Sequence, residues 1–315
     1  KDGPEGKDAE ITIDSDRKLW CRAVVNNAAY DYITRCGADD MNIARPPRNL
    51  RIWIFQKFNS SSAVMMRHGA LVEHALMKSF LGEFSGILKM FLPDITIGTH
   101  EDISYSTLYS TTCHELAHAS HFAQVGKDYW NSYIKFIISS FVSSGGVTYG
   151  TGEEEGAGYC EVGEMWAYYV QNQMYHERYG GTMPSAGLNY WFHPQIFRYL
   201  EERGMSRSQI FAALAKDVNN RKALMAKLIE LYPDKMQIIQ QVFVRDALQQ
   251  SVAHTGAGGG SPAAGGGSGS RGTGIRSGKG FHFHQCGRIC QPADTECGRL
   301  RASVQEVDCE CRIEI

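Results

Sequence analysis

The sequence predicts a mainly α-helical α+β domain with one small β-sheet. Three observations carry that expectation. Apolar residues recur at helical spacing through most of the first 250 residues, whereas only two short segments alternate as strands do. Glycines and prolines punctuate the chain between these segments rather than inside them. After His254 the composition changes abruptly to glycine and serine, so the fold is expected to be built before that point.

The composition suits a globular chain of this kind. Its 315 residues are 43% hydrophobic and 21% charged, enough to bury a sizeable core. The net charge of −2 and the shortness of the basic runs argue against a nucleic-acid or acidic-membrane partner. No apolar run reaches the roughly 18 residues that a membrane span requires; "IKFIISSFV" is the longest candidate.

The elements follow in order. A helix is expected from about Asp14 to Ile33, capped by Asp14 or Ser15. "RPPRN" at 45–49 breaks the chain before the strand "LRIWIFQ". "SSAVMMRHGALVEHALMKSFLGEF" reads as a long helix, and "LPDITIG", bounded by Pro93 and Gly98, as the second strand. "DISYSTLYSTTCHELAHASHFAQVG" reads as a helix of about five turns that ends at Gly126. "DYWNSYIKFIISSFVSS" follows as another, then the turn "GGVTYGTG", then the long helix "GYCEVGEMWAYYVQNQMYHERYGG", again closed by glycines. Three shorter helices complete the domain. One opens on the capping box Ser206-Arg207-Ser208-Gln209, and the others lie near 220–231 and 235–250.

This organisation divides the chain into a domain at 1–254, a flexible Gly/Ser-rich linker at 255–280 and a Cys-rich tail at 281–315. The tail holds five of the nine cysteines in the spacing C-x3-C-x6-C-x11-C-x-C, which matches no zinc-finger or zinc-ribbon pattern. With little apolar mass to bury, it is expected to be disordered or a non-native appendage. Cys21, Cys36, Cys113 and Cys160 are expected to be buried thiols. Cys21 and Cys36 flank one helix and would stand about 22 Å apart along it, too far for a disulfide.

The chemistry concentrates at His114, Glu115 and His118, which spell H-E-x-x-H. On a helix, residues four apart share one face, about 6 Å apart, so two imidazoles there reach a single tetrahedral Zn²⁺. Glu115, one step round the helix, lies beside the open coordination position, where a carboxylate serves as general base towards water activated by the metal. A salt-bridged glutamate between two surface histidines would carry the same letters. The strength of the helix signal and the small, apolar neighbours Leu116, Ala117 and Ala119 point instead to a packed site.

The third ligand is not decided by the motif alone. A metzincin pattern would need glycine where His121 stands and histidine where Gln124 stands. His121 lies seven positions from His114, about 10.5 Å along a straight helix, whereas tetrahedral ligand atoms on one zinc lie about 3.3 Å apart. A later helix offers Glu161 and Glu164, three apart on neighbouring sides of one face.

"HELAH" at 114–118 with "GEMWA" at 163–167 resembles the gluzincin group of zinc metallopeptidases, in which the third ligand lies in a helical motif such as E-x-W-A. The resemblance covers about residues 94–175. It implies a zincin-like domain, with His114, His118 and Glu164 as zinc ligands and Glu115 as general base. It also implies peptide-bond hydrolysis by metal-activated water, with a peptide or protein as substrate. More narrowly, the chain resembles bacterial zinc metallopeptidases that are secreted or lipid-anchored, which implies a periplasmic, cell-surface or secreted location. The chain departs from thermolysin-like members at Tyr168, where they carry an aspartate that orients a zinc histidine. Glu161 or a backbone carbonyl is expected to take that part. Tyr149, Tyr159, Tyr190 and His193 are candidate donors to an oxyanion. The "DITIG" strand is placed to pair with an extended substrate. The alternative function is a non-catalytic surface binding protein on a zincin scaffold, its metal site structural or vestigial.

Overall fold

A computed structural model describes residues 17–38, 41–56, 61–69, 93–143, 149–181, 190–256 and 312–314. The fold is mainly α-helical, with a small sheet at one side of the helices. Helix α1 spans Arg17–Cys36 and strands β1, β2 and β3 span Arg51–Gln56, Ser62–Ala63 and Ile95–Thr99. Helices α2 (Tyr105–Val125), α3 (Lys127–Ser143) and α4 (Ala157–Tyr179) follow. The shorter α5 (Gln195–Glu202), α6 (Arg207–Ala212) and α7 (Arg221–Leu231) come next, then α8 (Met236–Gly256) and a last strand, β4 (Arg312–Glu314). Among the described residues no helix is long and apolar enough to cross a membrane.

Most of the expected elements are present where the pattern places them. Ser104 caps α2 through the Thr107 amide, and Gly126, at φ 82°, closes it. The capping box at Ser206 and Gln209 opens α6, with both hydrogen bonds formed. Three differences stand out. The stretch from Ser61, read as one long helix, begins instead with β2, because Ser62 and Ala63 pair antiparallel with Thr96 and Ile95; residues 70–92 lie outside the described residues. Helix α5 carries no expectation from the sequence. Its eight residues contribute only Ile196, Phe197 and Leu200 to the core, too short a run for a period to emerge. Helix α1 continues to Cys36, three residues past the expected end.

The sheet order is β2-β3-β1-β4. β1 and β3 are parallel, Ile52 opposite Ile95 and Ile54 opposite Ile97, so their apolar residues share the face that the helices cover. β3 is therefore an inner strand. β1 lines one side along its whole length, β2 covers Ile95 and Thr96 on the other, and the Ser61 hydroxyl takes the Gly98 amide at 3.1 Å. The substrate-pairing role expected for "DITIG" loses most of its free edge to these partners. β4 adds antiparallel to the outer edge of β1, Ile313 opposite Ile52. The linker and the remainder of the Cys-rich tail, 257–311, lie outside the described residues.

Helices α2 and α4 pack along each other and form the centre of the molecule, with α1 and the sheet against α2, and α3 against both. Ala117 on α2 and Ala167 on α4 are both fully buried. Trp130 of α3 donates its indole N–H to the Ala63 carbonyl at 2.9 Å, tying α3 to the sheet. Tyr32 of α1 donates to Ser120 of α2 at 2.8 Å. At the start of α4, Gly158 meets the chain at Asn219: a Cβ there would stand 2.0 Å from the Asn219 carbonyl oxygen, so only glycine allows the contact. Cys21, Cys36, Cys113 and Cys160 are all buried in the core, and no disulfide joins them.

Candidate metal centre

Helix α2 presents His114, Glu115 and His118 towards α4, and all three are buried. Such polar residues are seldom buried without a compensating partner, and the two histidines find theirs in each other and in Glu164 of α4. The Nε2 atoms of His114 and His118 are 3.2 Å apart. Glu164 Oε2 lies 3.4 Å from His114 Nε2, and Glu164 Oε1 lies 3.6 Å from His118 Nε2. These three residues form a buried group whose donor atoms could hold one metal ion.

The separations fit a tetrahedral ion. Ligand atoms held at about 2.0 to 2.1 Å from Zn²⁺ stand about 3.3 Å from one another, close to the 3.2 Å between the two Nε2 atoms and to the 3.4 and 3.6 Å from each of them to its nearer Glu164 oxygen. Two buried carboxylate oxygens, Glu115 Oε2 and Glu164 Oε2, have no hydrogen-bond partner among the described residues. A buried polar oxygen without a hydrogen-bond donor is costly, and a cation is a partner that this donor set suits.

The electrostatics of the group follow from its burial and from the charges that face one another. Burial pushes the Glu115 carboxyl up to about 8, His114 opposing and the Glu164 charge reinforcing it. Burial also acts to raise Glu164, but His118 and His114 outweigh it and hold the carboxyl well below the usual range. Burial lowers His118 despite the Glu164 charge. For His114 burial acts in the same direction, but Glu164, Glu115 and Gln171 outweigh it and the net shift is upward.

His121 takes no part in the triad. It is fully buried on the same helix, with its ring 5.2 Å from that of Tyr129, and neither nitrogen has a hydrogen-bond partner among the described residues. Glu161 is also directed elsewhere. Its Oε1 lies 2.5 Å from Arg221 Nε, and its Oε2 accepts the Arg221 amide. The expectation that Glu161 orients a zinc histidine does not hold, because Arg221 takes both of its oxygens, Oε1 through the guanidinium and Oε2 through the backbone amide. The acceptor is Gln171, whose Oε1 stands 3.1 Å from His114 Nδ1. Tyr168 fills the position of the expected aspartate and packs its ring against His114, centroids 4.6 Å apart. Tyr133 of α3 donates to Glu164 Oε1 at 2.6 Å.

Gln171 and Tyr133 were not singled out in the sequence. Gln171 lies seven residues after Glu164, two turns along the same face, a spacing that would have nominated it. Nothing local nominates Tyr133 among fifteen tyrosines.

The four oxyanion candidates separate into two groups. Tyr149 and Tyr190 pack against each other, centroids 5.0 Å apart, and both pack against Phe192, which stacks on Tyr168. This aromatic group therefore adjoins His114. Tyr149 is raised by burial and then by the Glu164 charge, so its phenol stays protonated near the triad. The loop that carries it is held by Trp191, which donates to the Tyr149 carbonyl at 2.8 Å. Tyr159 instead packs on Tyr129, and His193 pairs with Asp246 at 3.4 Å.

No family model, no curated protein and no solved structure matches the chain. The metal centre is consequently read from its own geometry, a His-x3-His pair and a glutamate on a second helix in a zincin-like arrangement.

Proposed function

We propose that the chain is a zinc-dependent peptidase of the gluzincin type, with His114, His118 and Glu164 as metal ligands and Glu115 as general base. One observation carries the reading: three buried donor side chains stand 3.2 to 3.6 Å apart, beside a second buried carboxylate, that of Glu115, whose Oε2 has no hydrogen-bond partner among the described residues. When bound, Zn²⁺ would supply a Lewis acid that polarises the scissile carbonyl and makes water more acidic.

The chain's own residues account for the rest. Three donors leave the fourth tetrahedral position for water or substrate. Glu115 sits next to His114 on α2 but does not belong to the ligand group, so its carboxylate is available to take the proton from the attacking water and pass it to the departing amine. Without a cation, burial keeps that carboxyl near 8; a dication alongside favours its ionised, basic form. Of the candidate oxyanion donors, Tyr149 and Tyr190 belong to the aromatic group that reaches His114 through Tyr168, which supports them over Tyr159 and His193.

The test is metal content together with zinc-dependent hydrolysis of a mixed peptide library, wild type against Glu115→Gln. The expected result is about one Zn²⁺ per chain in both proteins, with hydrolysis in the wild type only, lower by several orders of magnitude in the variant. Zinc binding without any hydrolysis in the wild type would favour the alternative, a binding protein on a zincin scaffold. A folded protein that hydrolyses peptides without metal would end the reading.

A further inference from the structure

Each donor of the triad has two faces, one for the metal and one that must be held. His114 has two ring nitrogens, and Glu164 has two oxygens. Which atom faces the metal is decided by what occupies the other. In this protein the occupants come from two helices, and neither is a carboxylate.

Gln171 Oε1 lies 3.1 Å from His114 Nδ1, and both side chains are buried. An amide oxygen only accepts, so Nδ1 carries the proton and donates. The lone pair is then on Nε2, the atom 3.2 Å from His118 Nε2 and 3.4 Å from Glu164 Oε2. With the amide reversed, its N–H₂ would force Nδ1 to accept. The proton would move to Nε2, and His114 would point a hydrogen into the ligand cluster.

Tyr133 donates to Glu164 Oε1 at 2.6 Å. That bond uses one acceptor site of Oε1, the oxygen 3.6 Å from His118 Nε2, and leaves Oε2, 3.4 Å from His114 Nε2, without a hydrogen bond among the described residues. Tyr133 also packs its ring against His118, centroids 5.7 Å apart, with Trp130 alongside at 5.6 Å. His118 Nδ1 has no hydrogen-bond partner among the described residues. On the side away from the triad the His118 ring is therefore held by packing, whereas that side of the His114 ring is held by a hydrogen bond.

We propose that Gln171 and Tyr133 are the positioning residues of this metal centre: Gln171 fixes the tautomer of His114 through a neutral acceptor, and Tyr133 restricts Glu164 to one ligand oxygen. The assignment rests on the reading of the triad as a zinc site. It goes beyond that reading by explaining how the coordination stays at three protein atoms with one position open. A glutamate free at both oxygens could close on the ion with two and take up that position.

The experiment measures Zn²⁺ affinity by chelator competition, and the visible spectrum of the Co²⁺-substituted protein, for wild type, Gln171→Leu, Gln171→Glu and Tyr133→Phe. Near-ultraviolet circular dichroism of the metal-free proteins checks that each is folded. Gln171→Leu is expected to weaken zinc about 10- to 100-fold, and Gln171→Glu, which keeps an acceptor, to retain the affinity. Tyr133→Phe is expected to weaken zinc by a similar factor and to lower the intensity of the Co²⁺ bands, since a two-oxygen Glu164 raises the coordination number. Equal loss in Gln171→Leu and Gln171→Glu would overturn the part given to Gln171, since fit rather than hydrogen bonding would then be at stake. An unchanged Co²⁺ spectrum in folded Tyr133→Phe would overturn the part given to Tyr133. Failure of the wild type itself to bind Zn²⁺ would mark the failure of the metal reading, distinct from either.

Discussion

Glu161 and Glu164 lie one helical turn apart on α4, yet their carboxylates serve different partners. Glu161 Oε1 sits 2.5 Å from Arg221 Nε, whereas Glu164 Oε2 sits 3.4 Å from His114 Nε2. Glu164→Ala is therefore expected to abolish measurable zinc binding, and Glu161→Ala to leave the affinity within about twofold of wild type. The second variant should instead lose roughly 1 to 3 kcal/mol of stability, as expected for a hydrogen-bonded charged group that loses its partner. Metal titration and chemical denaturation on the same preparations separate the two effects. Weakened zinc binding in Glu161→Ala at unchanged stability would contradict the division of labour.

His121 provides a test at low pH. Burial, with a smaller contribution from His118, lowers its pKa to about 3, from 6.5 in the unfolded chain. A histidine whose folded pKa is depressed binds more protons when unfolded, so stability falls as pH drops from about 6.5 towards 3. Between pH 7 and pH 5 this single group should cost about 2 kcal/mol. His121→Leu removes the titrating ring from a site that offers it no hydrogen bond. Urea unfolding at both pH values should show the variant less pH-sensitive than wild type by about that amount. An identical pH dependence in the two proteins would rule out this role for His121.

Gly158 is where the start of α4 touches the chain before α7. Since a Cβ would stand 2.0 Å from the Asn219 oxygen and 2.8 Å from the Asn220 Cβ, Gly158→Ala must displace backbone. Asn220 is the N-cap of α7, and the next residue is the Arg221 that holds Glu161. The expected cost is about 1 to 3 kcal/mol, seen as a melting temperature several degrees lower. A variant as stable as wild type would show that the contact is looser than its geometry implies.

Truncation after Gly256 removes β4, which contributes three residue pairs at the outer edge of β1. The triad residues lie on α2 and α4, so zinc affinity should be unchanged and the melting temperature only slightly lower. Loss of metal binding on truncation would mean that the Cys-rich segment contributes to the centre.

The sequence alone determined what depends on neighbours along the chain. The i, i+4 spacing of His114 and His118 needs only a helix, and the caps at Gly126 and Ser206 lie within a turn of what they cap. The choice between Glu161 and Glu164 had no such local basis. It depends on which carboxylate meets Arg221, sixty residues on, and which meets α2. β2 forms only because β3 is beside it, and the same pairing removes most of the free edge that β3 would have offered a substrate. Gln171 and Tyr133 acquire their parts through contacts between helices, at separations of 57 and 31 residues from the atoms they hold. Helical periodicity reports which face of an element is buried. Only the packing of α2, α3 and α4 brings the partners on those faces together.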